Sequence, residues 1–167
     1  MNKCYSPKIA IVLLILQSPT IVDAQSTADS IAIQKILQEE VVSWNKSDAE
    51  TYSRHFAKDG TFTNLAGLFF TGHKAFLDRH DLIFKGTEMR QNLVSLKFIR
   101  DDVAIVETLT WISGFSKSGL PPGTHPDEKG RLRTRLLQVM TKDEGNWKIV
   151  AYHNVDLKPG SPAPEPR

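Results

Sequence analysis

Two stretches decide the fold: Trp44-Asn45-Lys46-Ser47-Asp48, running on through Asp59-Gly60-Thr61-Phe62 to Gly72, and Gly145-Asn146-Trp147-Lys148-Ile149-Val150-Ala151-Tyr152-His153-Asn154. The first reads as the end of one helix, a second helix, a pair of short strands and the start of a third helix; the second reads as a terminal strand. Upstream of Trp44, the apolar residues Ile33, Ile36, Leu37 and Val41 recur at the three- and four-residue spacing of a single helix face, which predicts helix one from about Asp29 to Trp44. Ser47-Asp48-Ala49-Glu50 has the form of a capping box, with the serine as cap, and opens a second helix from Asp48 to about Ala57 that buries Tyr52 and Phe56. Asp59-Gly60 ends it. Thr61-Phe62-Thr63 and Leu68-Phe69-Phe70-Thr71 read as short strands about the Ala66-Gly67 turn, and helix three runs from Gly72 or His73 to Gly86 with Phe76, His80 and Phe84 on one face.

Beyond Gly86 the periodicity changes to two. Leu93 to Ile99 and Val103 to Phe115 form one hairpin about Asp101-Asp102; Arg131 to Thr141 and Trp147 to Leu157 form another about Asp143-Glu144-Gly145-Asn146. Helices followed by long antiparallel strands imply an α+β domain with its helices on one face of a curved sheet. The Gly-, Pro- and charge-rich connection from Ser116 to Gly130 is either a plain surface loop or a cover for a pocket mouth.

The two ends of the chain have their own character. Lys3 and Lys8 precede an apolar run from Ile9 to Leu16, and Val22-Asp23-Ala24 has the form of a cleavage site, so residues 1–24 are expected to be a signal peptide and the product secreted or periplasmic. The run is too short to span a bilayer as a helix, and no membrane association is expected after cleavage. The single cysteine, Cys4, lies within that leader, so the mature domain, residues 25–157, has neither disulfide nor thiol chemistry. A formal charge of +2 gives no electrostatic case for nucleic acid. With no metal-type Cys/His spacing, phosphate loop or dinucleotide fingerprint, no metal and no cofactor are expected. Residues 158–167 hold four of the nine prolines and read as a disordered tail.

Together these residues resemble the nuclear-transport-factor-two-like superfamily, within it the SnoaL-like domains, and most closely the SgcJ/EcaC type. The resemblance rests on Trp44-Asn45 and Asp48, Phe56 to Gly60, Gly67 and Gly72, Asp102 to Val106, Arg135, and Trp147 to Asn154. It implies a cone-shaped fold, three N-terminal helices on a curved, mostly antiparallel sheet, enclosing a small-molecule pocket and often dimerising through the sheet. It does not imply one activity, because this fold serves isomerases, dehydratases, hydrolases and binding modules. Where the ketosteroid isomerase branch carries its catalytic carboxylate, this chain has Asn64, which cannot take a proton at neutral pH. Asn64 is therefore read as orienting a ligand or capping its turn.

Candidate chemistry follows from strand parity. Val103, Ile105, Leu109, Trp111 and Phe115 share a face with Glu107, where desolvation would raise a carboxyl pKa and suit it to acid or base work; alternatively Glu107 pairs with Arg133 or Arg135. On the last strand His153 shares its face with Trp147, Ile149 and Ala151. With His80 of helix three it would make the two-histidine arrangement that the resemblance associates with dehydratases. Candidate catalytic residues are thus His153, His80 and Glu107. Candidate ligand contacts are Trp44, Tyr52, Asn64, Trp111, Arg135, which can hold an anion, and Asn154. His55, His73 and His125 are read as surface residues. The expected function is binding of a small aromatic or polyketide-like molecule. The alternatives are a cofactor-independent lyase, isomerase or hydrolase, and a homodimeric assembly module.

Overall fold

A computed structural model of the chain describes residues 21–115, 120 and 123–163, the first five by backbone alone. Most of the leader sequence, part of the Ser116 to Gly130 connection and the last four residues of the tail lie outside the described residues. Three helices, α1 (Ile21–Asn45), α2 (Ala49–Ser53) and α3 (His73–Ile83), pack on one six-stranded sheet of β1 (Phe56–Thr63), β2 (Phe69–Thr71), β3 (Glu88–Arg100), β4 (Val103–Ser113), β5 (Leu132–Asp143) and β6 (Asn146–Asp156). The order across the sheet is β2-β1-β6-β5-β4-β3. All neighbours are antiparallel except β1 and β6, which run parallel. The chain thus has the expected α+β architecture, with its core between the helices and the inner sheet face.

Three local details differ from the sequence reading. Helix α1 is described from Ile21, well before the expected start near Asp29, so a cut after Ala24 would fall within it. The cap of α2 is Asp48, whose carboxylate accepts from the Thr51 amide at 3.0 Å, while Ser47 adopts the left-handed conformation at φ 55°. Phe56 belongs to β1, not to α2: the Ile149 amide donates to the His55 carbonyl at 2.8 Å and draws the chain onto β6 two residues after the helix ends.

Trp44-Asn45 fastens the end of α1 to the sheet. Asn45 brackets the Met89 backbone, its amide donating to the carbonyl at 3.1 Å and its oxygen accepting from the N–H at 2.7 Å; the Trp44 indole donates to Thr87 Oγ1 at 3.0 Å. At the other end, Asp29 accepts from Lys142 Nζ and from the Trp147 indole, tying α1 to the second hairpin. Between the layers, Phe76 of α3 stacks on Phe56 with ring centroids 4.0 Å apart, and Phe62 stands edge-on to Phe76 at 5.2 Å. Gly60 is required where β1 bends, since a Cβ there would lie 2.8 Å from the Phe56 ring and 3.1 Å from the Ile149 carbonyl oxygen.

The helix face of α1 contains an unexpected member. Glu40 sits in phase with Ile33, Ile36 and Leu37, and it is buried with them at 2 % exposure. Its carboxyl accepts from Gln138 Nε2 at 2.7 Å and Gln91 Nε2 at 3.3 Å, whereas the carbonyl oxygens of both glutamines are buried without a donor. Burial outweighs these bonds and pushes the Glu40 pKa up to about 7. The folded state therefore holds a proton that the unfolded chain releases near its ordinary value of 4.5, and this contribution to stability falls as pH rises from about 4.5 to about 7. Glu40→Gln removes that titration and can offer an N–H to an orphaned carbonyl. Urea unfolding is expected to show its advantage over the native protein growing through this window to about 3 kcal/mol near pH 8. A pH-independent difference would contradict the assignment.

Candidate functional site

The inner face of the sheet is not the one that the simple alternation of β6 indicates. Along β6, Trp147 and Ile149 point inward, but the register with β5 passes from Met140–Ile149 to Val139–Ala151, leaving Val150 as an extra residue. This β-bulge reverses the alternation. Tyr152 and Asn154 therefore face inward, and His153 is exposed on the outer face. On β4, Thr110 and Ile112 face inward, and Glu107, Leu109 and Trp111 face outward. Both faces of this strand are largely apolar, so periodicity could not distinguish them.

A cavity of about 470 Å³ opens between the C-terminal end of α1, α3 and the inner sheet face. This is within the range of small-molecule sites. Trp44, Phe62, Met89, Ile112 and Leu132 supply apolar walls, Ala66 and Leu68 of the β1–β2 turn stand at an exposed rim, and Phe115 and Leu120 extend the lining from the connection after β4. Its polar groups are Asn64, Arg79, His80, Thr110, Tyr152 and Asn154.

His80 is held by the geometry of α3. Its Nδ1 lies 2.7 Å from the Phe76 carbonyl oxygen, which can only accept, so Nδ1 carries the proton and Nε2 presents a lone pair. Nε2 has no protein partner among the described residues. The imidazole is packed among the rings of Phe76 at 4.1 Å, Tyr52 at 4.8 Å and Phe62 at 5.9 Å. Burial lowers its pKa to about 4; the Phe76 bond opposes the shift and the Arg79 charge adds to it. At neutral pH His80 is an uncharged proton acceptor.

Beside it, the Tyr152 and Tyr52 hydroxyls are 3.2 Å apart. Tyr152 lines the cavity and Tyr52 stands behind it; burial raises both pKa values, so both phenols stay protonated. Within such a pair one hydroxyl donates to the other, and the remaining O–H is free to turn elsewhere. Thr110 shares a short hydrogen bond with Thr134. Asn64 spends its side-chain oxygen on the Ala66 and Leu68 amides, each at 3.0 Å, shaping the rim turn. The side-chain oxygen of Asn154 is buried without a donor, and Arg79 has no acidic partner among the described residues.

The cavity thus brings together His80, Trp44, Asn64 and Asn154 of the candidates named above. Tyr52 reaches it only through Tyr152. His153, Glu107, Trp111 and Arg135 lie on the other sheet face, so His80 and His153 do not converge. Arg135 donates to Glu107 at 2.5 Å, which removes both from the roles of anion holder and acid or base. Tyr152, Thr110 and Arg79 were not foreseen. The bulge concealed the first, the small polar character of the inner face of β4 concealed the second, and Arg79 reads in sequence as a solvated helix residue.

The same overall arrangement of the chain is found in solved structures of other proteins. A domain of unknown function with a cystatin-like fold from Nostoc punctiforme superposes with a TM-score of 0.65 at 22% identity, covering 78% of each chain. This is the nuclear-transport-factor-two-like, or cystatin-like, fold. A hexachlorocyclohexane dehydrochlorinase of type 2 shares it at a TM-score of 0.66 and 15% identity, over 80% of this chain and 88% of that one. A ketosteroid isomerase-like protein from Erwinia carotovora atroseptica shares it at 0.61 and 14%, over 77% and 96%. At such identities the likeness shows the fold alone. No family model matches the sequence, and no curated protein does.

Within this cystatin-like frame the state of His80 is directly measurable. NMR titration of the histidine ring nitrogens should show one imidazole protonated at Nδ1 that does not charge until pH falls to about 4. A ring at this position titrating near its ordinary value of 6.5 would mean that water solvates the site.

Proposed function

We propose that the protein binds a small, largely apolar, ring-bearing molecule in the cavity between α3 and the inner sheet face. The observation that carries this reading is the cavity itself: about 470 Å³ walled by Trp44, Phe62, Met89, Ile112 and Leu132, with a few polar groups among them. In detail, the proposal is of an exported SnoaL-like domain of the SgcJ/EcaC type. Export is supported by Lys3 and Lys8 before the apolar Ile9 to Leu16 and by Val22-Asp23-Ala24; the family assignment is supported by the Trp44-Asn45, Gly60 and Trp147 to Asn154 motifs.

A second reading is favoured by one specific observation, the fixed Nε2 lone pair of His80 in an apolar setting beside Tyr152. In this reading His80 removes a proton from a carbon of the bound molecule, and the Tyr152 hydroxyl or the Arg79 guanidinium steadies the charge that develops, as a cofactor-independent lyase or isomerase requires. The names of two proteins of the same fold, a dehydrochlorinase and a ketosteroid isomerase-like protein, accord with chemistry of this kind. The carboxylate missing at Asn64 leaves His80 as the base.

One experiment separates the readings. Ring ketones with acidic α-hydrogens are screened by thermal shift, and those that raise the melting temperature are incubated with the protein in heavy water. Binding without deuterium uptake supports a binding domain; uptake that His80→Gln abolishes while the thermal shift persists supports the second reading. If no ring-bearing compound binds, the proposal fails. We further propose that the protein pairs with itself through the outer sheet face, where Leu137 and Val155 are 40 % and 52 % exposed. Leu137→Asp should then convert a sedimenting dimer to a monomer, and a native protein that sediments as a monomer would reject the pairing.

A further inference from the structure

The cavity carries charge of one sign. Arg79 is the charged residue of its lining, and neither Asp nor Glu belongs to that lining. The guanidinium is half-buried and has no partner among the described residues. The positions one turn away on α3, Ala75, Phe76, Leu82 and Ile83, bring no acid to it, and Asp78 is engaged by Lys74 at 2.6 Å. The buried imidazole of His80 feels its charge, so the guanidinium stands near the interior and not out in bulk water. An unpaired cation at the edge of an apolar space is screened less than one in solution, and it favours an anion on whatever fills that space.

A second donor is fixed in the rim turn. The Ala66 and Leu68 amides both donate to Oδ1 of Asn64, which lines the cavity. Two donors on one oxygen settle which way the carboxamide faces. Nδ2 therefore points away from the turn, and its two N–H groups have no acceptor among the described residues. Whereas the oxygen of Asn154 is occluded, neither Nδ2 of Asn64 nor the guanidinium nitrogens of Arg79 are shut off in that way, so both residues can meet a ligand directly.

We propose, resting on the small-molecule reading above, that the ligand is a ring carboxylate: its apolar ring lies against Trp44 and Phe62, and its carboxylate accepts from the guanidinium of Arg79 and from Nδ2 of Asn64. The planar fork of an arginine matches the two oxygens of a carboxylate, and an amide N–H takes a lone pair that the fork leaves over. Selection is by charge. An amide of the same shape keeps the ring but not the anion, and a ring-bearing cation meets like charge.

Three probes of one shape test this: naphthoate, naphthamide and naphthylmethylammonium, titrated by calorimetry into the full-length protein near neutral pH. The carboxylate should bind about tenfold more tightly than the amide, and the ammonium most weakly. Added salt should weaken the carboxylate and leave the amide unchanged. Arg79→Gln should erase the preference for the carboxylate over the amide, while Arg79→Lys retains part of it. Asn64→Asp keeps an oxygen for both turn amides but puts a second oxygen and a negative charge where Nδ2 was; it should weaken the carboxylate about tenfold and spare the amide. Unchanged circular dichroism and melting temperature in the unliganded variants confirm that they fold. If the carboxylate has no advantage over the amide or the ammonium, or if its advantage survives Arg79→Gln or Asn64→Asp intact, the assignment is overturned while the cavity remains a binding site. If none of the three binds, the small-molecule reading fails with it.

Discussion

The bend that Gly60 and Val150 share governs the rest of the molecule. At that point β6 takes an extra residue against β5, and the pairing of β1 with β6 slips between Phe56 and Thr61, so both central strands depart from regular pairing at one level of the sheet. Only a residue without a side chain fits at position 60, between the Phe56 ring and the Ile149 carbonyl. One consequence is the curl that leaves space between α3 and the sheet. The other is chemical: beyond the bulge Tyr152 and Asn154, not Ala151 and His153, become the inner row of β6. The shape of the cavity and the identity of its polar groups thus come from the same irregularity.

The packing of the helices onto the sheet also encloses two ionisable groups. Glu40 and His80 are both deprived of water by the packing of helices onto a concave sheet, and each is pushed toward its neutral form. Their effects on stability oppose one another. Holding a proton on Glu40 favours the fold as pH falls from about 7 to about 4.5, whereas refusing one on His80 disfavours it as pH falls from about 6.5 to about 4. Over most of the shared interval the contributions of these two groups oppose one another, although neither site is neutral by its ordinary pKa. The pH dependence emerges when one of the two is replaced.

How much of this was legible in the sequence depended on which rule carried the information. The helices and the two long hairpins could be read because three- and four-residue spacing and strict alternation persist over many residues, and the Glu144-Gly145 turn, at φ 46° and 81°, is of the kind that suits a tight hairpin. Trp44-Asn45 marked a real junction, since both side chains fasten α1 to the segment entering β3. The site was less legible. Alternation gives two faces and not which of them is concave, and on β4 the inner face carries Ala104, Val106, Thr108, Thr110 and Ile112 while the outer carries Ile105, Glu107, Leu109 and Trp111, so both are largely apolar. A single inserted residue then reversed the last strand. Glu40 was available to the same helical-period argument that found Ile33 and Leu37, but a carboxylate in an apolar row is easily read as the start of the solvent face.

Whether a ligand would only be bound or also be transformed turns on the basicity of His80. An imidazole whose conjugate acid has a pKa of about 4 is a poor base toward carbon, and each unit by which that pKa rises is about 1.4 kcal/mol of better driving force. The main cause of the depression is burial, with Arg79 adding to it. A ligand anion on Arg79 cancels the second contribution, and negative charge developing beside Nε2 during proton removal offsets the first. In the catalytic reading proposed above, the guanidinium that would hold such an anion therefore also sets the basicity of His80. In that reading a molecule lacking the anion would occupy the cavity and leave the histidine inert, so that binding and turnover would be separated by the chemistry of the occupant, not by a different set of residues.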